Sequence, residues 1–562
     1  MWDTSTTCIN LNALKQNANS GKSETSTEEW LEITIGNFGK WQCWISFLLS
    51  LFKFPIAWVQ MSIIFLARST QFWCSQPIEF SNMTEQQWVE FSRPSGEKYD
   101  LNQLNNGFCN MKDLSGGNES LPCSDGYDYN RTVFESSIIT EWDLICGKER
   151  LVDVSQIILM SGILIGNILF GLYADRYGRK IILIICIVIQ TIFGFIASWS
   201  PWYWGFVISR FLVAVANGGT LVVSFVMCVE IVGGKWRAII PILVQTPFGI
   251  GYSFMGVLAY YIRNWRQFQY TLSAISALFL WYIWLIPESP RWLFVKGRQM
   301  EGRRILEKAA KFNGIKTEVF EQNFEKLSSL PTDTKKPSFG DLFSTPILAK
   351  RTIWLCLIWF FDGISFFTIT QYVGHVGQNI FLTVIAGGFL TIPGQLICLY
   401  MIDKFGRRNT IASWTLVSAV CFLSIIYFPK GMYPHDWQRL TLTGIGIIGV
   451  SISLCAVYLF TGELLPTVIR NTGLGLCSVC SRIGSMLAPL IISLHDIAPF
   501  LPLLLLGIFN VIEFFLLLML PETAGTHLPE VISDLEVKKY KSKKHKNNND
   551  YVAVPTVGDP KV

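Results

Sequence analysis

The chain is poor in charge, and it lacks the patterns that enzymes and metal proteins need. Only 15% of its 562 residues are Asp, Glu, Lys or Arg, against roughly 25% in soluble domains. Its five histidines are scattered without metal-ligand spacing, so no metal and no cofactor is expected. Neither a phosphate-cradling glycine loop nor a nucleophile elbow occurs, and an enzymatic activity is not expected. The first forty residues hold no long apolar run, which argues against a cleavable signal peptide and leaves the first apolar stretch as the targeting signal. What remains is apolar. Hydrophobic residues make up 51% of the chain and mean hydropathy is +0.37, the composition of a polytopic membrane protein.

Windows of about 20 apolar residues fall near 41–67, 152–173, 181–199, 202–229, 239–261, 267–286, 352–372, 379–401, 409–428, 440–460, 473–494 and 500–520. The fold class expected is an all-α integral membrane protein with twelve transmembrane helices. One hinge occurs twice: Asp175-Arg176-Tyr177-Gly178-Arg179-Lys180, and Asp403-Lys404-Phe405-Gly406-Arg407-Arg408, about 230 residues later. Each copy joins two apolar stretches of helix length. Two copies at equivalent places imply two similar six-helix halves, the build of a rocking-bundle transporter.

Charge and sugar signals set the expected topology. Basic residues follow spans two, four, six and eight, and a basic run covers 538–546. By the positive-inside rule these segments and both termini are cytoplasmic. The three Asn-x-Ser/Thr sequons, Asn82, Asn118 and Asn130, all lie between spans one and two, which marks that loop as extracellular and glycosylated. It also carries Cys74, Cys109, Cys123 and Cys146, enough for two disulfides in any of three connectivities. Nine other cysteines lie in or beside spans as small apolar filler, and Cys8 sits in the N-terminal tail. The resulting division is 1–40 cytoplasmic tail, 41–67 first helix, 68–150 extracellular loop, 151–290 helices two to six, 291–350 cytoplasmic loop, 351–520 helices seven to twelve, and 521–562 cytoplasmic tail. Within 291–350, Ile305, Leu306, Ala309 and Phe312 recur at helical spacing, which reads as amphipathic helices under the membrane. The partners expected are a small organic solute and the lipid bilayer of the plasma membrane, with no nucleic acid. Homo-oligomerisation is left open.

Three further motifs accompany the hinges: Pro287-Glu288-Ser289-Pro290-Arg291-Trp292-Leu293, Gly462-Glu463 through Arg470, and Pro521-Glu522-Thr523. Together the set resembles the major facilitator superfamily, sugar porters included. The long sequon-bearing first loop, ending in Thr140-Glu141-Trp142-Asp143-Leu144-Ile145-Cys146, sets the chain apart from sugar porters. It is similar to the organic cation, zwitterion and anion transporter family, carnitine transporters among them, over roughly 36 to 530. The loop departs from many members in having four cysteines rather than six. The resemblance implies the major facilitator fold and solute translocation by alternating access, with a site between the halves near mid-membrane.

An ionisable side chain in the membrane core is costly unless paired or hydrated, so each is a functional candidate. Arg482, in span eleven, stands where the resemblance places arginine in anion and zwitterion carriers and aspartate in cation carriers. Its guanidinium can grip a carboxylate with two parallel bonds. Lys53, beside Pro55 in span one, is a second anion contact, a gate, or a snorkelling lysine. Asp362, in span seven, holds an ammonium or neutralises Lys53 or Arg482. Cation-handling relatives carry an acid two residues before the proline of span eight. Here that proline is Pro393 and the position is Thr391, so Asp362 is expected to substitute. Arg210, in span four, matches a superfamily motif and reads as packing or coupling. Aromatic faces can hold an ammonium, and Trp359, Phe366, Tyr372 and Tyr458 are candidates. By resemblance, Gln245 lines the cavity.

Two in-span bases and one acid favour a zwitterion of the carnitine, betaine or β-alanine type. An organic cation comes second and an organic anion third; a non-transporting receptor is the remaining alternative, disfavoured by the intact hinges. Gating is expected from Asp175 and Asp403 against helix N-terminal dipoles, and from Arg179 with Glu230 and Arg408 with Glu463.

Overall fold

The computed structural model describes residues 34–93, 108–112, 120–123, 125–234, 236–328, 339–429, 431, 433–466 and 469–525. Cys8, Asn118 and the basic run at 538–546 lie outside them. Twelve helices are long and apolar enough to cross a bilayer: Lys40–Leu66, Cys146–Tyr177, Arg179–Trp199, Tyr203–Glu230, Ile239–Tyr261, Trp265–Leu285, Pro346–Val376, Ile380–Phe405, Arg407–Tyr427, Trp437–Leu464, Thr472–Asp496 and Leu501–Leu518. Span seven starts several residues earlier than its hydropathy suggests. Pro346 fills its first turn and the Thr345 hydroxyl accepts from Leu348 N–H, a cap strong enough to carry helix past the apolar stretch.

Spans one to six and seven to twelve repeat one packing scheme. Span four lies on spans two and three, and span ten on spans eight and nine. The halves meet through span five against span eight and span eleven against span two. At the first seam glycine permits backbone contact: a Cβ on Gly249 would strike Thr391 Oγ1, and one on Gly388 would strike Ser253 Oγ. Hydrogen bonds between the halves include three from first-half side chains. Tyr252 Oη donates to Thr370 O at 2.6 Å, Ser253 Oγ to Ile385 O at 2.9 Å, and Arg150 Nη1 to Ser493 Oγ at 2.8 Å. All three lie toward the end bearing the 68–150 loop, so that end is closed.

Prolines shape the spans. Span one consists of Lys40–Ser50, Lys53–Met61 and Ile63–Leu66; Pro55 has no N–H for the preceding turn, and Lys53 sits at the break. Span five breaks at Gln245, between a helix holding Pro241 and one starting Thr246-Pro247.

In the first loop, Phe72–Cys74 pairs with Tyr127–Tyr129 and Asn110–Lys112 with Ser120–Pro122, both antiparallel. The disulfides are Cys74–Cys123 and Cys109–Cys146, one of the three open connectivities. The Thr140–Cys146 signature fastens this loop to the first half. Glu141 accepts from Trp265 Nε1 at 2.6 Å and pairs with Arg266, while Trp142 packs on Tyr203, Phe206 and Trp265. Asn82 is exposed; Asn130 is half-buried, its amide donating to Gln71 Oε1 at 3.2 Å.

At the opposite end, Gln299–Asn313 lies under span one. Leu306, Ala309 and Ala310 are buried, and Asn313 Oδ1 accepts from Trp41 N at 2.8 Å. Phe312, expected on the buried stripe, is exposed.

Candidate functional site

Near the middle of the spans, side chains from both halves form one polar cluster in apolar surroundings. Lys53 is 2% exposed and Arg482 7%. They lie within electrostatic reach of one another, yet among the described residues neither forms an ion pair. Arg482 rests over the Phe367 ring at 5.3 Å, and its Nε and Nη1 have no hydrogen-bond partner. Two basic side chains are thus buried within electrostatic reach of one another with no acidic partner in an ion pair among the described residues, an arrangement that is costly to bury.

Asp362 is not that partner. Its carboxylate, 1% exposed, forms no ion pair among the described residues and lies within electrostatic reach of Glu513 in span twelve. Glu513, equally buried, accepts from Ser453 Oγ at 3.1 Å. Ser453 also lies within hydrogen-bonding reach of Asp362 and so links the two acids. Of the two roles considered for Asp362, an ion pair with Lys53 or Arg482 is not present among the described residues. Tyr458 stands between the two groups, within reach of both Arg482 and Asp362. Its ring meets Trp359 edge-on at 4.4 Å and Phe225, from the first half, at 5.8 Å.

The remaining candidates separate. Trp359 is fully buried and its indole N–H donates to Thr461 Oγ1 at 2.9 Å, so it backs Tyr458 and offers no free face. Phe366 is buried against Phe248 of span five at 5.9 Å. Gln245 is half-buried at the break in span five. Tyr372 belongs elsewhere: near the loop-bearing end, its hydroxyl donates to Pro499 O at 2.9 Å and meets His495 Nδ1 at 3.0 Å. Thr391 bonds Gly388 O at 2.8 Å and packs on Gly249, so it faces span five rather than Asp362. Arg210 is enclosed within the first half, over Phe206 at 5.5 Å and beside Gln190 and Gln269 in a small cavity.

The two hinges are built alike. Gly178 and Gly406 have φ of +118° and +87°, and a Cβ on either would crowd Glu288 or Glu522 at 2.6 and 2.8 Å. Those two glutamates, not Asp175 and Asp403, meet the helix N-termini. Glu288 accepts from the N–H of Arg179 at 2.9 Å and Lys180 at 3.1 Å; Glu522 accepts from Arg407 at 2.9 Å and Arg408 at 3.3 Å. Burial pushes the Glu522 carboxyl up, but backbone donors from Ala524, Asn409, Arg407 and Thr523 outweigh it and hold it below the usual carboxylate range. Arg179 Nη2 bonds Glu230 at 3.0 Å and Asp175 at 2.9 Å, the latter side chain 71% exposed. In the second half Arg407, not Arg408, reaches Glu463, at 3.1 Å. Arg408 bonds Leu520 O and Asn409 instead. The arginine directly after the glycine makes the pair in both copies, and Asp403 is exposed with no ion pair among the described residues.

Residues 123–535 match the family described as sugar (and other) transporter. The chain is 32% identical to the organic cation transporter protein of Drosophila melanogaster over 516 residues, covering 89% of this chain and 93% of that one. Solute carrier family 22 member 3 of Rattus norvegicus is 32% identical over 525 residues, covering 89% and 94%. Organic anion transporter 3 of Oryctolagus cuniculus is 36% identical over 439 residues, covering 77% and 80%. The chain belongs to the organic cation and anion transporter family. Its fold is that of the major facilitators: the xylose transporter XylE from E. coli, inward open, superposes with a TM-score of 0.60 at 17% identity, over 87% of this chain and 98% of that one. This transporter is thus a carrier of small solutes in a membrane and not an enzyme.

Sequence reasoning overlooked Glu513 in the transporter's last span. A signal was present. Asn510 and Glu513 are three residues apart in the otherwise apolar Leu501–Leu518, so they share a face. Asn510 Nδ2 donates to Ser365 Oγ at 3.1 Å, and both residues face span seven.

Proposed function

We propose that this transporter moves small organic solutes bearing a carboxylate, foremost zwitterions whose ammonium group lies two to four bonds from the carboxyl carbon. The observation that carries this reading is the Lys53–Arg482 pair, buried close together and without a counter-ion. A substrate carboxylate would accept from both, and the planar Arg482 fork would fix its orientation. The ammonium end would rest against Tyr458 and the Asp362–Ser453–Glu513 group on its far side, where a cation gains from both a ring face and a carboxylate. The relatives include both an organic cation transporter and an organic anion transporter, in keeping with a solute that carries both charges.

Transport follows alternating access between the halves, with the loop-bearing end extracellular and both termini cytoplasmic at the plasma membrane. In that orientation the closed seam between spans five and eight is the outer gate. The hinge ion pairs Arg179–Glu230 and Arg407–Glu463 brace the cytoplasmic ends of each half and are the groups that rearrange as the halves rock. An organic anion is the second reading, favoured by the same unpaired bases. Asp362 and Glu513 bear on the difference: a plain anion needs neither. Uptake of labelled carnitine and β-alanine, compared with a matched amine and a matched acid, tests the reading. Uptake of the amine alone would overturn it.

A further inference from the structure

A second cavity, remote from the cluster around Arg482, opens at the loop-bearing end exactly where the halves close on one another, and it has the chemistry of an anion site. Its volume is about 260 Å³, below the ~300–1,000 Å³ of pockets for drug-sized ligands. The first half contributes Arg68, just past span one, Phe134 from the loop, and Tyr260 and Arg263 at the end of span five; the second half contributes Gln378 and Phe381 at the start of span eight. Phe381 is clamped by rings from the first half: Phe65 at 5.8 Å, nearly parallel, Phe134 at 5.4 Å and Tyr260 at 5.6 Å. Phe134 and Phe381 are buried and form the floor. Arg263 lies over the Tyr260 ring at 5.6 Å at the exposed rim. Neither guanidinium has an ion pair among the described residues. Burial without a counter-charge pushes Arg68 down to about 10, so it remains charged at neutral pH.

We propose that this cavity is an outer binding site for a small aromatic carboxylate, its carboxylate held between Arg68 and Arg263 and its ring on Phe134 and Phe381. Two unpaired guanidinium groups favour a carboxylate by charge and by geometry. The aromatic floor adds selectivity for a flat ring. Because the walls come from both halves, a bound ligand ties them together, and the site exists only while the loop-bearing end is shut. Ligand binding and closure of that end are therefore linked.

The inference does not depend on which solute the transporter carries, and its test uses binding rather than uptake. Purified full-length protein is titrated calorimetrically with benzoate, with benzyl alcohol and acetate as partial probes. The titration is run in an Arg482→Ala background, so that the central cluster does not contribute. Benzoate is expected to bind, acetate more weakly, and benzyl alcohol not measurably. Adding Arg68→Gln with Arg263→Gln is expected to weaken benzoate at least tenfold. Phe134→Leu, which leaves both arginines and the Tyr260 ring under Arg263 in place, is expected to weaken benzoate while sparing acetate, and it serves should the double variant fail to fold. Unchanged benzoate affinity in the variants, or loss of all benzoate binding on Arg482→Ala alone, would overturn the assignment.

Discussion

Arg407 and Arg408 are adjacent, equally basic and both in the second hinge, yet the structure assigns them different work. Arg407 Nε pairs with Glu463 across 3.1 Å, with side chains 21% and 16% exposed. Among the described residues Glu463 has one other partner, Thr523 Oγ1 at 2.6 Å. Arg407→Ala would leave this carboxylate largely enclosed with a single donor. Removing one partner of a fully buried pair costs ~3–5 kcal/mol and of a surface pair well under 1 kcal/mol, so this half-enclosed pair should cost about 2 kcal/mol, or about 30-fold in an equilibrium. Among the described residues the Arg408 side chain bonds Leu520 O and its neighbour Asn409, and Arg408→Ala should cost about 0.5 kcal/mol or less. If the Arg407–Glu463 pair holds in one gating state only, most of its loss should appear as a shift between states. Expressed transporter is assayed for surface abundance, melting temperature and initial uptake rate. Arg407→Ala should slow uptake at normal abundance, Arg408→Ala should not, and Arg407→Glu with Glu463→Arg should recover part of the rate. A larger defect from Arg408→Ala, or no recovery on the exchange, would refute the reasoning.

Other outcomes follow from the same geometry. Glu288→Gln should impair the transporter more than Asp175→Asn, because Glu288 meets two backbone N–H groups whereas Asp175 is a mostly exposed partner; melting and uptake measured side by side check the order. Glu522 is held below its usual range, so its stabilising contribution is present above the unfolded value near ~4.3 and disappears as pH falls through the lower folded value. Glu522→Gln should lose that acid-side dependence in thermal melts. Non-reducing peptide mapping should recover Cys74 linked to Cys123 and Cys109 to Cys146, and removal of either bridge should destabilise the loop by about 4 kcal/mol on chain-entropy grounds. Glycosidase treatment should increase gel mobility, and Asn82→Gln should remove part of that shift, since Asn82 is exposed.

The duplicated hinge and twelve apolar windows made the fold legible, because bilayer thickness fixes helix length and a repeated turn betrays repeated halves. The hinge pairing was legible only in part. Arg179 with Glu230 follows from the motif, but its counterpart was placed one residue late, at Arg408, where two adjacent arginines look alike and only the glycine register separates them. The capping glutamates Glu288 and Glu522 stood in motifs already noted, yet nothing local reveals that they fold back on a helix distant in sequence. In the central cluster, Lys53, Arg482 and Asp362 could be read as lone charges in apolar runs. Which charge faces which could not, since that depends on helix rotation. Glu513 changed the balance from one buried acid to two, and Asp362 forms no ion pair with either base among the described residues.

The central claim is that Arg482 and Lys53 receive the solute's carboxylate. Its most direct test is the apparent affinity for a labelled zwitterion such as carnitine in Arg482→Ala and Arg482→Lys, with surface abundance measured alongside. The account predicts that alanine abolishes saturable uptake and that lysine, lacking the planar fork, restores little of it. A normal apparent affinity in the alanine variant would contradict the account.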